Sequence, residues 1–193
     1  MKNLKGRNVF RSVFIIPFAI SPVVTGLLWR NMYEPSDGVI NSVLGFVGLP
    51  TSGWLASPAV AMPALILANV WQYTPLAMIL LLAALQTVPR EPLEAAQLDG
   101  ASKVQTFRYV TLPLLWGSVL TALLLVTILS FKVFSLIFLT TAGGPGESTE
   151  VMSITIYKLG IYFFRINPAA ALSMILLIIC TGVAIAYMRK WEV

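Results

Sequence analysis

Histidine is absent from the 193 residues, cysteine occurs once, and charged residues make up only 11% of the chain. Without histidine the commonest metal ligand and the commonest general base are missing. No metal site and no cofactor are therefore expected, and the chain reads as a non-enzyme. Cys180 has no partner for an internal disulfide and, inside an apolar run, reads as a small buried hydrophobe. Soluble domains carry about a quarter charged residues. Here the uncharged runs 12–29, 38–89, 109–131 and 166–188 stand out instead. Each approaches the roughly 20 apolar residues that cross a bilayer, with room for turns in the longest. A β-barrel would need alternating apolar and polar residues, and MILLLAAL and MILLIIC do not alternate.

What is present is 58% hydrophobic residues, and the pattern predicts an all-α integral membrane protein made of one transmembrane domain over 1–193. Four spans are expected, at about 13–32, 59–87, 113–140 and 166–188. The basic start and the apolar stretch after it resemble a secretory signal. The apolar part continues through Leu27 and Leu28 with no small-residue cleavage pattern, so it reads as a retained first span. Nine of the 13 Lys and Arg fall on one side of these spans: Lys2, Lys5, Arg7, Arg11, Arg90, Lys103, Arg108, Arg189 and Lys190. The positive-inside rule then predicts a multi-pass protein of the cytoplasmic membrane, with both termini and the 88–112 loop in the cytoplasm. On the outer side, VINSVLGFVGL suits a short helix at the membrane surface. TAGGPGESTE reads as a turn cluster, and the stretch after it as a helix at the outer face. Pro17, Pro22, Pro63 and Pro75 lie within spans, where each reads first as an ordinary kink.

Between spans two and three the scarcity of charge ends. Arg90, Glu91, Glu94, Asp99, Lys103 and Arg108 crowd into one short stretch. Pro92 suits a first helical turn, and Glu91 and Glu94 complement the helix dipole there. Gly100, after Asp99, can take the left-handed conformation that ends a helix. Residues 101–109 can form a second helical piece before Pro113 opens span three. The prediction is a compact helix–turn–helix with Leu93 and Leu98 available for packing, a shape suited to docking a soluble partner.

The same segment resembles the signature of permease subunits in ATP-binding-cassette importers. That pattern is Glu-Ala-Ala, three residues, Gly, nine residues, an aliphatic residue, one residue, then Leu-Pro. Here Glu94-Ala95-Ala96, Gly100, Val110 and Leu112-Pro113 meet every spacing. The resemblance implies a type I importer permease core and makes the loop a coupling helix held by the ATPase subunits. It assigns Glu94, Ala95, Ala96, Asp99, Gly100, Leu112 and Pro113 to that contact. NVFRSVFIIPFAISPVVTGLLWRNMYEPSDGVIN, NVWQYTPLAMILLLAALQTVP, LTTAGGPGESTEVMSITIY and NPAAALSMILL resemble the sugar-importing branch of the family. Permeases of that branch usually carry at least six spans. The four here match the last four, which implies that the first two are missing.

Asn69, Gln72, Tyr73 and Leu76 fall on one helical face of span two, while Ser130, Val133 and Phe134 form another in span three. Asn and Gln offer donors and acceptors, and Tyr a ring with a hydroxyl, a mixture that suits sugar hydroxyls and ring faces. By resemblance, the Asn69-x-Trp71-x-x-x-Pro75 stretch and this part of span three supply the sugar site. Asn69, Gln72, Tyr73, Leu76, Ser130 and Val133 are therefore the expected substrate path. Interhelical packing is the competing reading for each of them. Lys132 points away from Ser130 and reads as snorkelling or pairing with a partner. TAGGPGEST lacks the Gly-Lys-Ser/Thr ending of a phosphate-binding loop.

These residues predict the transmembrane subunit of an ATP-driven sugar importer. The expected partners are ABC ATPase subunits, a second permease subunit in a heterodimer, an extracytoplasmic solute-binding protein, the sugar and membrane lipid. No nucleic acid is expected. The alternatives are a self-contained helical channel or secondary transporter, which needs ionisable residues converging inside the spans, and a non-transporting permease fragment.

Overall fold

Proline and glycine positions decide where the apolar runs fold as single helices and where they break. The computed structural model describes residues 7–189, and no strand occurs among them. Lys2, Lys5 and Lys190, on which part of the orientation argument rests, lie outside the described residues. The helices are α1 (Arg7–Ala19), α2 (Pro22–Met32), α3 (Val39–Phe46), α4 (Pro58–Thr87), α5 (Glu91–Leu98) and α6 (Lys103–Thr106). A π turn (Phe107–Thr111) leads into α7 (Leu112–Leu114), α8 (Trp116–Phe131), α9 (Ser135–Thr140) and α10 (Met152–Tyr157). A second π turn (Lys158–Tyr162) precedes α11 (Ile166–Arg189). The chain divides into two units, one of Met1–Pro75 with Leu129–Ile179, the other of Leu76–Ile128 with Cys180–Val193.

Helices α4 and α11 are each long and apolar enough to cross a membrane unaided. The other two expected spans are not single helices. The stretch 13–32 bends by 101° between α1 and α2. Pro22 has no N–H to continue the ladder of α1, and Ser21 supplies a new start, its Oγ accepting from the Val23 N–H at 3.3 Å. Pro17, and Pro63 and Pro75 of α4, sit inside unbroken helices. Only Pro22, which has a cap residue before it, ends one.

The stretch 113–140 is also divided. It bends by 68° where Leu114 passes to Trp116, and α8 stops at Phe131. Phe134 leaves helical geometry at φ −132°, ψ −61°, and α9 starts after it. The freed Val133 carbonyl is taken by the Ser153 hydroxyl. The Phe134 ring stacks on Phe138 at 5.1 Å and meets Tyr157 at 5.2 Å. Tertiary partners hold this break, with no proline or glycine within it. Counting each bent pair as one span gives up to four candidate spans.

The core of the first unit lies around Trp29, Tyr33, Ala64, Leu65, Ala68, Leu136, Ile137 and Ile154. The buried Tyr33 hydroxyl donates to the Ala64 carbonyl at 2.8 Å, tying α2 to α4. Helices α2 and α9 approach closely at Gly26. A Cβ there would lie 3.1 Å from Leu139 Cβ and 3.2 Å from the Ser135 carbonyl oxygen. Replacing Gly26 with leucine should therefore force the helices apart, at about 1–3 kcal/mol for overpacking. A melting temperature lowered by several degrees in detergent, against an unchanged Gly45→Leu control in open space, is the expected result.

Outside that core, Asn41 of α3 pins the loops on both sides of that helix. Its amide donates to the Pro35 and Ser52 carbonyls, and its Oδ1 accepts from Ser52 N–H and Trp54 Nε1. All four polar bonds on one buried side chain leave the apolar residues of α3, Val39, Val43 and Phe46, on the exposed side.

Candidate functional sites

The charged insert forms, in the second unit, the helix–turn–helix expected of it. Pro92 and the acidic Glu91 and Glu94 occupy the first turn of α5. Gly100 stands at φ +78°. Its N–H reaches the Gln97 carbonyl and the next N–H, of Ala101, reaches back to Ala96, both within 3.1 Å. These two bonds are the pair that closes a Schellman turn on the last carbonyls of a helix. Immediately afterwards Ser102 and Gln105 form a reciprocal capping box: Gln105 N–H donates to Ser102 Oγ at 3.3 Å, and Ser102 N–H to Gln105 Oε1 at 2.8 Å. The knob is thus fixed by a stop and a start back to back. The capping box is visible in the sequence as Ser-x-x-Gln, although the expectation above did not use it.

Glu94, Ala95, Asp99 and Gly100 are exposed, Ala96 and Leu112 are half-buried, and Pro113 is exposed. Leu93 is half-buried, whereas Leu98 is 89% exposed. Val104, Phe107 and Tyr109 are exposed as well. These three were not among the expected contact residues. Their signal was a set of large apolar side chains in an otherwise polar loop, where a packed core has no use for them.

The expected substrate-path residues separate into two groups. Asn69 Nδ2 donates to Ser130 Oγ at 3.0 Å, joining α4 to the end of α8. Both line a pocket of about 180 Å³ with Val133, Leu65 and Leu136. The buried Asn69 Oδ1 meets no donor among the described residues. Gln72, only 3% exposed, belongs elsewhere: its Nε2 donates to the Ile20 carbonyl at 3.4 Å, at the bend between α1 and α2. Tyr73 and Leu76 are half-buried and do not line the Asn69 pocket. Trp29 Nε1 and Thr25 Oγ1, one turn apart on α2, are further buried polar atoms with no partner among the described residues. Lys132 is exposed and borders an open groove with Ser153 and Phe134.

The turn cluster after α9 closes on itself. The Thr149 hydroxyl donates to the Gly144 carbonyl at 2.6 Å and meets the Thr141 hydroxyl at 2.7 Å. Glu150 pairs with Lys158 and accepts from the Thr155 hydroxyl. The Lys158 ammonium, aided by Thr155 and opposed by desolvation, holds the Glu150 carboxyl below the usual range. A depressed carboxyl pKa stabilises the fold above the unfolded value, about 4.3 for Glu, and that contribution is lost as pH falls through the folded value. The melting-temperature difference between the parent chain and Glu150→Gln should accordingly be constant at neutral pH and shrink below the ordinary Glu range. A difference independent of pH would remove the pair from the account.

An all-helical chain with span-length apolar helices and an exposed, capped knob between two of them defines a polytopic membrane subunit. The chain belongs to the family of binding-protein-dependent transport system inner membrane components, which it matches over residues 1–191. It is 37% identical, over 97% of its length and 63% of the relative's, to the trehalose/maltose transport system permease protein MalF of Thermococcus litoralis. Identity is 39% to a probable ABC transporter permease of Pyrococcus horikoshii, over 93% of this chain and 62% of that one. It is 33% to the sulfoquinovosyl glycerol transport system permease protein SmoG of Agrobacterium fabrum, over 93% and 58%. The chain thus spans about three fifths of the length of the curated relatives it matches. Among solved structures, it superposes on a bacterial ABC transporter involved in the import of the acidic polysaccharide alginate. The TM-score is 0.87 at 25% identity, covering all of this chain and 68% of the other. A second structure, of the alginate transporter with an alginate pentasaccharide-bound periplasmic protein, gives 0.85 at 26% identity, over 97% and 65%.

Proposed function

We propose that this chain is a translocation subunit of an ATP-driven importer that carries a sugar or sugar derivative across the cytoplasmic membrane. The observation that carries the reading is the knob at 91–109: rigid by its caps, exposed along Glu94, Ala95, Leu98 and Gly100, and built on the full importer spacing. In this reading a solute-binding protein delivers sugar from outside. ATPase subunits grip the knob of this chain and that of a second permease. Their closure tilts the spans so that access alternates across the membrane, and Asn69, Ser130 and Gln72 offer hydrogen bonds along the path. The chain itself performs no covalent chemistry. The permeases of sugar transport systems among its relatives support the substrate class, and the periplasmic protein in the alginate complex supports a binding-protein partner.

The direct test is cross-linking in the assembled transporter. With Cys180 replaced by serine, a cysteine at position 94 or 98 should cross-link to an ATPase subunit, while one at position 46 in α3 should not. Absence of any ATPase adduct at 94 and 98 would overturn the reading.

A further inference from the structure

Beside the closed turn cluster, a cavity of about 410 Å³ opens between α9, α10 and the second π turn. That size falls within the range of small-molecule sites. Its walls are rings: Phe138 and Tyr157 meet edge to face at 4.9 Å, and Tyr162 and Phe163 do so at 5.1 Å. Tyr162 and Phe163 are 72% and 58% exposed, so their faces are not used up by packing. The wide turn places them there: Phe163 N–H donates to the Lys158 carbonyl five residues back, at 2.8 Å. Such π turns are frequent at functional sites.

Charge borders the rings. Glu150 and Lys158, paired with each other, line the same cavity, and Glu147 lines it with no ion-pair partner among the described residues. Glu147 stands at φ +63°, a left-handed conformation that a residue with a Cβ seldom adopts. Strain of this kind persists where surrounding structure imposes it, and it collects at binding sites. An acyl chain would fit the rings but would leave two carboxylates and an ammonium facing hydrocarbon.

We propose that this cavity is a saccharide subsite, selective for neutral sugar units over uronates. The apolar face of a pyranose stacks on Tyr162 and Phe163. Its hydroxyls donate to the Glu147 carboxylate and accept from the Lys158 ammonium. Lys158 is already neutralised by Glu150, so the unpaired charge is that of Glu147, which repels an anionic sugar. The role in uptake rests on the importer reading above: the loop is the outer face, and the cavity receives sugar before the Asn69 pocket does. Val151 lines that pocket, and its neighbour Glu150 lines this cavity.

The test uses the complete transporter in nanodiscs and saturation-transfer NMR with maltose, trehalose, lactose and digalacturonate. At least one neutral disaccharide should receive saturation and digalacturonate should not. Tyr162→Ala should weaken that binding about tenfold, the loss of one stacking contact. Tyr162→Phe should keep it, and Glu147→Gln should admit digalacturonate. No saturation of any neutral sugar, or equal binding by Tyr162→Ala, overturns the proposal. Uptake into proteoliposomes separates the two readings. Sugar binding at the cavity without transport removes the importer and keeps the site, whereas transport with Tyr162→Ala binding unchanged does the reverse.

Discussion

In the assembled transporter, Gly100→Val is expected to lower receptor-stimulated ATP hydrolysis by about tenfold or more, while Gly100→Asn stays near the parent rate. The distinction follows from the backbone. At φ +78° a side chain added to Gly100 meets nothing within 4 Å, so crowding is not the obstacle. The cost is conformational: a left-handed residue with a Cβ costs about 1–2 kcal/mol, more when β-branched, and asparagine tolerates the region best. Valine thus opens the turn that the Ala101-to-Ala96 and Gly100-to-Gln97 bonds close, and α5 loses its fixed angle to α6. Because the knob is exposed, the apolar helices should assemble normally and the defect should appear as lost coupling. Glu94→Lys alters charge on the same exposed helix without touching the turn, and it should weaken ATPase binding at low salt more than at high salt. If Gly100→Val hydrolyses ATP like the parent when receptor and sugar are added, a stiff knob is not what transmits the stroke.

Local chemistry made some parts of this structure legible and long-range contacts hid others. Proline in the first turn of α5, glycine after its end and charge in an apolar chain were enough to predict the knob, because caps act within a few residues. The break after α8 had no such marker. It depends on Ser153, twenty residues further along, taking the Val133 carbonyl, and on Phe134 finding Phe138 and Tyr157. The four span prolines looked alike in sequence, yet only Pro22 ends a helix, since only there does a neighbour, Ser21, cap the next one. The substrate face shows the same limit at finer scale. Residues three apart on a helix differ by about 60° around its axis. That offset is enough to send Asn69 to Ser130 and Gln72 to Ile20.

That separation ranks the two side chains for transport. Asn69→Leu is expected to raise the KM for sugar uptake by about tenfold or more, and Gln72→Leu to weaken uptake less. Asn69 donates to Ser130 and keeps a buried acceptor, Oδ1, without a partner among the described residues. An unsatisfied buried acceptor costs about 1–3 kcal/mol, and a sugar hydroxyl donating to it recovers that cost on binding. Gln72 already donates to the Ile20 carbonyl and is only 3% exposed, so less of its amide is open to a sugar. Were Asn69 only an interhelical tie, its loss and that of its partner would be equivalent, at about 0.6–2 kcal/mol of stability and nothing in KM. Ser130→Ala supplies the comparison: it removes the tie but leaves the Asn69 amide, so its KM should rise less than that of Asn69→Leu. Equal melting-temperature losses in the two variants with KM unmoved in both would reduce Asn69 to packing and shift the path toward Gln72 and the bend at Ile20.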